Sequence, residues 1–119
     1  MKVESIPDTD SLFRWVPANR INAKGRPSPG AFKELRGGMS TDWSKYSTPE
    51  ESRARSPLPS TTGIARLAVG AVRGLNLTVT HAPRSWDEAH TNVTGIGEDA
   101  EVRLKLADLA RMEGALPPR

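Results

Sequence analysis

His81 and His90 are the only histidines in the chain, nine positions apart. Between them, Pro83-Arg84-Ser85-Trp86-Asp87-Glu88 carries two carboxylates, a guanidinium and an indole. If the run ending at His81 and the run starting at His90 pair as a hairpin, the two imidazoles meet near one sheet end. His81 or His90 would then be a general base, Asp87 or Glu88 its orienting carboxylate, and Arg84 an anion clamp. The same residues could form part of a metal site, but a third ligand at a zinc-like spacing is missing, so neither a metal nor a cofactor is expected. A plainer reading stays open beside this one. In it each histidine simply ends a strand and bonds to backbone, with Trp86 covering the core edge.

Two further patterns touch on nucleotide chemistry. Gly95-Ile96-Gly97-Glu98-Asp99-Ala100 matches G-x-G-x-x-[G/A] between a strand-like and a helix-like run. Glu98 and Asp99 would occupy the helix start, where a pyrophosphate needs bare backbone donors, so the glycines are read as a turn. Arg14, Ser40-Thr41 and Glu50 or Glu51 lie on separate elements and faintly resemble ADP-ribosyltransferase-like, NAD-cleaving folds. That resemblance implies an arginine and a Ser-Thr pair holding the dinucleotide, with a glutamate orienting the reacting ribose. The glutamates here suit helix capping better, and the chain is short for that fold.

The elements that must position these residues are written in local signals. Leu12–Val16, bounded by Pro17, reads as a strand, and residues 19–30 as a Gly- and Pro-rich loop. Residues 31–35 are a helical turn or a strand that anchors Phe32, broken by Gly37-Gly38; Met39–Trp43 reads as a short strand. Thr48-Pro49-Glu50-Glu51 is a capping box with proline at the first helical position, which predicts a helix over 48–55 stopped by Pro57 and Pro59. Residues 64–69 and 75–80 read as strands of one hairpin turning at Gly70–Gly74, although 64–73 is also compatible with a helix by composition, and residues 89–94 read as another strand. Val102, Leu106, Leu109 and Glu113 recur at helical spacing, which predicts a helix from Glu98 to about Met112 with Gly114 as its C-cap.

These elements define an α+β fold: a small, mainly antiparallel sheet with a C-terminal amphipathic helix packed on one face. Residues 1–10 are a flexible lead-in, 11–114 the single domain and 115–119 a tail. Hydrophobic residues make up 36% of the chain and Gly and Pro together another 20 positions, so a modest core with long loops is expected. The absence of cysteine excludes a disulfide framework and a thiol nucleophile. No apolar stretch is long enough for a membrane span or a signal peptide, so a cytoplasmic protein is expected. The net charge of +3 comes mostly from twelve arginines spread along the chain rather than from a basic stripe.

The leading functional expectation is a non-catalytic binding module that docks onto a protein partner, a second copy, or nucleic acid. Its contacts would be Arg14, Trp43, Tyr46, Arg84 and Trp86, residue types that anchor interfaces. The alternative is a small enzyme or ligand-binding protein using His81, His90, Asp87 and Glu88. Leu12-Phe13-Arg14, Met39–Trp43, Thr48–Glu51 and Ala89–Gly95 together resemble a group of small, uncharacterised bacterial proteins. That resemblance implies a bacterial or phage-related cytoplasmic origin, and it brings no activity, cofactor or catalytic residue with it.

Overall fold

β1 (Ser11–Pro17) is covered on both sides: Leu12 and Val16 face one way and Phe13 and Trp15 the other, as strand alternation requires. In the computed structural model, which describes residues 2–118, this strand lies inside a six-stranded antiparallel sheet. Its full length pairs with β3 (Thr62–Ala68), from Ser11↔Ala68 to Pro17↔Thr62. Against β2 (Met39–Trp43) it pairs only at Leu12↔Trp43 and Phe13↔Asp42, after which the two strands part. β2 continues to β5 (His90–Thr94), and β5 to β4 (Thr78–His81) at the sheet edge. β6 (Arg111–Glu113) closes the other edge on β3.

The entry to β2 is set by a glycine. Gly38 has φ +116° and its N–H bonds to the Leu35 carbonyl at 2.9 Å; a Cβ there would stand 3.1 Å from the Val93 carbonyl oxygen. Only a residue without a side chain lets β2 approach β5 this closely after so tight a turn.

The core occupies one face of the sheet. Leu12, Val16, Met39, Trp43, Leu67 and Val93 are buried there beneath Phe32, Val69, Val72, Ile96 and Leu106. Phe32 follows a 3-10 turn at Pro29–Ala31 and is fully buried, the anchoring role read from its run. The first helix, α1 (Pro49–Ala54), starts as the capping box requires: Thr48 Oγ1 accepts from Glu51 N at 3.1 Å and Glu51 accepts from Thr48 N at 2.9 Å. The short helix lies across the opposite face, where Trp15 Nε1 donates to the Ser52 carbonyl at 2.9 Å.

Two local readings are corrected. Residues Val69–Arg73 form a helix, α2, instead of a hairpin turn, and β3 and β4 end up on opposite sides of β1, β2 and β5. Val69 and Val72, three apart on one helical face, are both fully buried, so the segment gains more by covering the core than by turning. The last helix, α3 (Ala100–Leu109), is shorter than its periodicity predicts. It lies beside the sheet with Leu106 and Ala107 buried, but Leu104 and Leu109 are exposed. Past Ala110 the chain becomes extended because the free edge of β3 offers Arg111–Glu113 a ladder, reinforced by an ion pair between Glu113 and Arg66. The N-terminal segment makes several contacts with the domain. Ile6 is buried, Val69 N donates to the Asp10 carbonyl at 3.0 Å, and Arg73 binds the Ile6 carbonyl and Asp8, each at 2.7 Å.

Candidate functional site

Strand register decides which polar residues meet. Asp42 of β2 lies directly across from His90 of β5, and Phe13 of β1 across from Asp42, so all three share the face opposite the core. Ser40, two residues before Asp42, joins them on that face. α1 crosses beside them and contributes Ser52, whose Oγ donates to Asp42 Oδ2 at 2.5 Å. Arg55, at the end of α1, donates from Nη2 to Asp42 Oδ2 at 3.0 Å and to Ser47 Oγ at 2.7 Å. Its Nε sits 3.5 Å from Asp87 Oδ1 and is buried without a hydrogen bond among the described residues. Asp87 belongs to the β4–β5 connection, a tight turn closed by Arg84 N to Asp87 O at 2.9 Å and Asp87 N to Arg84 O at 3.0 Å.

One guanidinium therefore faces two buried carboxyls. Burial pushes the Asp87 carboxyl up to about 7, and the hydrogen bond and negative charge of Asp42 push the same way. Burial would also raise Asp42, but hydrogen bonds from Asp87, Ser52 and Arg55 outweigh it and hold this carboxyl below its ordinary range. Up to neutral pH the pair thus keeps a proton on Asp87 and a charge on Asp42. His90 completes the set. Its Nδ1 lies 3.0 Å from the Ala82 carbonyl and must donate to it, which leaves Nε2 as an acceptor, 3.5 Å from Ser40 Oγ. Burial lowers the His90 pKa, and the nearby Arg84 charge adds to that, so the imidazole is neutral at pH 7.

These groups surround a cavity of about 40 Å³ lined by Phe13, Trp15, Ser40, Thr41, Asp42, Asp87 and His90. That space holds a water or two, or one functional group of a larger molecule. Beyond Trp15, which is a wall of both, lies a wider groove of about 310 Å³ with Arg14, Pro17, Pro57, Leu58, Thr61 and Thr62 in its lining.

Of the residues singled out in the sequence, Asp87 and His90 are brought together and His81 and Glu88 are not. His81 pairs with Thr91, the neighbour of His90, so it faces the core side. There it is buried, accepts from Glu4 N at Nδ1 (3.0 Å) and donates from Nε2 to the Glu88 carbonyl (2.8 Å). Its ring stands edge-on to Trp43 at 5.0 Å and stacks on Tyr46 at 6.0 Å. Glu88 supplies only that carbonyl; its side chain is exposed. The two imidazoles thus sit on opposite sheet faces and do not converge, so a site using both is ruled out.

The expected contact residues divide similarly. Trp43 is a core residue, its Nε1 donating to Asp10 Oδ2 at 2.8 Å, and Tyr46 is half-buried with its hydroxyl on Glu4, so neither is free to anchor a partner. Arg14 wedges into the gap where β1 and β2 part, donating from Nε to the Ala31 carbonyl (3.0 Å) and from Nη1 to the Ser40 carbonyl (2.9 Å). Burial pushes its pKa down to about 10. Arg84 and Trp86 remain outside: Trp86 is 71% exposed, with the Arg84 guanidinium 5.7 Å from its ring centroid.

The nucleotide patterns are taken up internally. Glu34 Oε1 accepts from Ile96 N at 2.6 Å and Gly97 N at 3.0 Å, so the chain's own carboxylate fills the amides of the G-x-G turn. Glu51 is engaged in the α1 cap, and Glu50 is exposed on the same turn. Asp42, Ser52 and Arg55 were not singled out as site residues. The available signal was a charged residue alternating with Met39, Thr41 and Trp43 in a buried strand. Comparisons with known proteins return no match for this chain, whether by family model, by sequence or by solved structure. Among the described residues no three His, Asp or Glu side chains are grouped to hold a metal, and no helix is long and apolar enough to cross a membrane.

Proposed function

We propose that this chain binds a small polar ligand in the His90 cavity and performs acid–base chemistry on it. One observation carries this reading: a neutral imidazole with its acceptor nitrogen beside Ser40 and a proton-holding carboxyl pair line the same cavity. Burying two carboxyls against one guanidinium costs stability, which apolar side chains of the same volume would avoid. Perturbed titrating groups that meet in a concavity mark a candidate functional site. A hydroxyl or N–H of the ligand would donate to His90 Nε2, and Asp87 would serve as the proton donor below neutrality. The rest of the ligand would lie over Trp15 in the wider groove.

The three tryptophan indoles allow a direct test, because they report on three separate places. Trp15 walls the cavity, Trp43 is in the core and Trp86 is on the outer turn. A library of small alcohols, amides and carboxylates, titrated into the labelled protein, should shift the Trp15 indole and the His90 ring in NMR spectra. The His90→Gln variant should lose those shifts. If no compound moves Trp15 or His90, the reading fails.

Docking onto a larger partner is supported by a different observation, the exposed Trp86 under the Arg84 guanidinium. A macromolecular partner that shifts the Trp86 indole and leaves Trp15 unmoved would favour that function.

A further inference from the structure

The His90 cavity also holds a hydroxyl placed for covalent chemistry. We infer that Ser40 is a nucleophile activated by His90, and that carboxylic esters are the substrate class of this site; the inference rests on the cavity being a ligand site at all. Ser40 and His90 are diagonal neighbours on one sheet face, since Asp42 pairs with His90 and Ser40 with Asn92. Ser40 Oγ lies 3.5 Å from His90 Nε2, the ring nitrogen left as acceptor once Nδ1 donates to the Ala82 carbonyl. Nucleophile, base and a third group that orients the base are thus present in order. Separations of this length are common before substrate arrives, and they tighten around the reacting group.

Access and rigidity point the same way. Ser40 is exposed between the buried Met39 and Thr41, so its hydroxyl can meet a reactant while its neighbours anchor the strand. Arg14 Nη1 grips the Ser40 carbonyl at 2.9 Å, and the β2–β5 ladder holds the other side. Phe13 and Trp15 give the reacting carbonyl apolar walls, and Pro17, Pro57 and Leu58 line the adjoining groove, where an acyl chain would lie.

The step balances without a co-reactant other than water. Ser40 Oγ bonds to the ester carbonyl carbon as its proton passes to His90 Nε2. The bond from that carbon to the alcohol oxygen then breaks, and the alcohol leaves with the proton held on His90. A water next attacks the acyl carbon, again giving a proton to His90, and His90 returns it to Ser40 as the carboxylic acid departs. Esters fit better than amides because the base is oriented by a carbonyl, which stabilises an imidazolium less than a carboxylate does. An alkoxide leaving group needs less protonation than an amine.

A fluorophosphonate probe and p-nitrophenyl acetate test this on the full chain. The probe should label one site, Ser40, located by peptide mass spectrometry, and p-nitrophenyl acetate should be cleaved. Ser40→Ala should abolish both signals, whereas Ser5→Ala, at an exposed position outside the linings of both cavity and groove, should leave them unchanged. His90→Gln should slow labelling roughly 100-fold or more, the scale of a lost general base. The labelling rate should also rise with pH and be half-maximal below pH 6.5, since burial lowers the His90 pKa from its ordinary value. Absence of label, a label on another residue, or equal rates in His90→Gln would overturn the inference. If Ser40 stays unlabelled while small ligands still shift Trp15 and His90, the dyad alone is wrong and the binding cavity stands. If neither signal appears, both readings fall.

Discussion

Replacing Asp87 by asparagine should remove a pH dependence that the wild-type fold carries. Asp87 is buried beside Asp42, and its folded pKa of about 7 stands well above the ordinary value of 3.8. A carboxyl with a raised folded pKa gives stability that is fully present below its unfolded pKa and is lost as pH rises through the folded value. From pH 6 to pH 8 that loss amounts to about 1.4 kcal/mol, since the unfolded carboxyl is ionised throughout. For a domain of 119 residues this lowers Tm by roughly 4–7 °C. Asparagine is neutral at every pH and can still donate to Asp42, so its curve should lack this decline. His90 acts in the opposite sense, because a lowered imidazole pKa makes stability rise with pH up to about 6.5. Both proteins share that contribution, and the difference between their curves isolates Asp87. Thermal unfolding by circular dichroism at pH 6, 7 and 8 measures it. Parallel curves for the two proteins would refute the assignment of a shared proton to this pair.

Three other substitutions probe the frame around the site. His81→Ala strips partners from Glu4 N and the Glu88 carbonyl and opens space beside Trp43, so a loss of about 2–4 kcal/mol is expected in urea unfolding. His90→Gln should cost far less in the same assay. Thr48→Ala removes the acceptor for Glu51 N and should cost about 1 kcal/mol, read as a lower urea midpoint at an unchanged slope. Glu34→Ala frees the amides of Ile96 and Gly97, and hydrogen exchange at those two positions should accelerate by at least tenfold while the β1–β3 amides stay protected.

How much of this was legible depended on the range of the signal. The α1 cap needed four consecutive residues, Thr48 to Glu51, and it formed as written. The strands read at 12–16, 39–43 and 89–94 from β-favouring runs formed at 11–17, 39–43 and 90–94, and the hairpin left open between His81 and His90 formed across a short polar connection. The segment 69–73 was misread because its glycines suit a turn as well as a short helix, and only the burial of Val69 and Val72 distinguishes them. The last helix was overextended because periodicity ignores a competing ladder on β3.

The site itself lay mostly beyond local reading. The sequence alone placed His90 and Asp87 in one loop region and settled the α+β class. It could not say that His81 and His90 face opposite ways, because that depends on pairing His81 with Thr91 rather than with a residue one step along. A one-residue change of register swaps every side chain between core and outer face. Nor could it bring Asp42 and Arg55 to Asp87, since those contacts exist only after β5 has chosen β2 and α1 has folded over the sheet. Local chemistry determined the elements; the order of strands β4-β5-β2-β1, a matter of long-range burial, decided which side chains share a cavity.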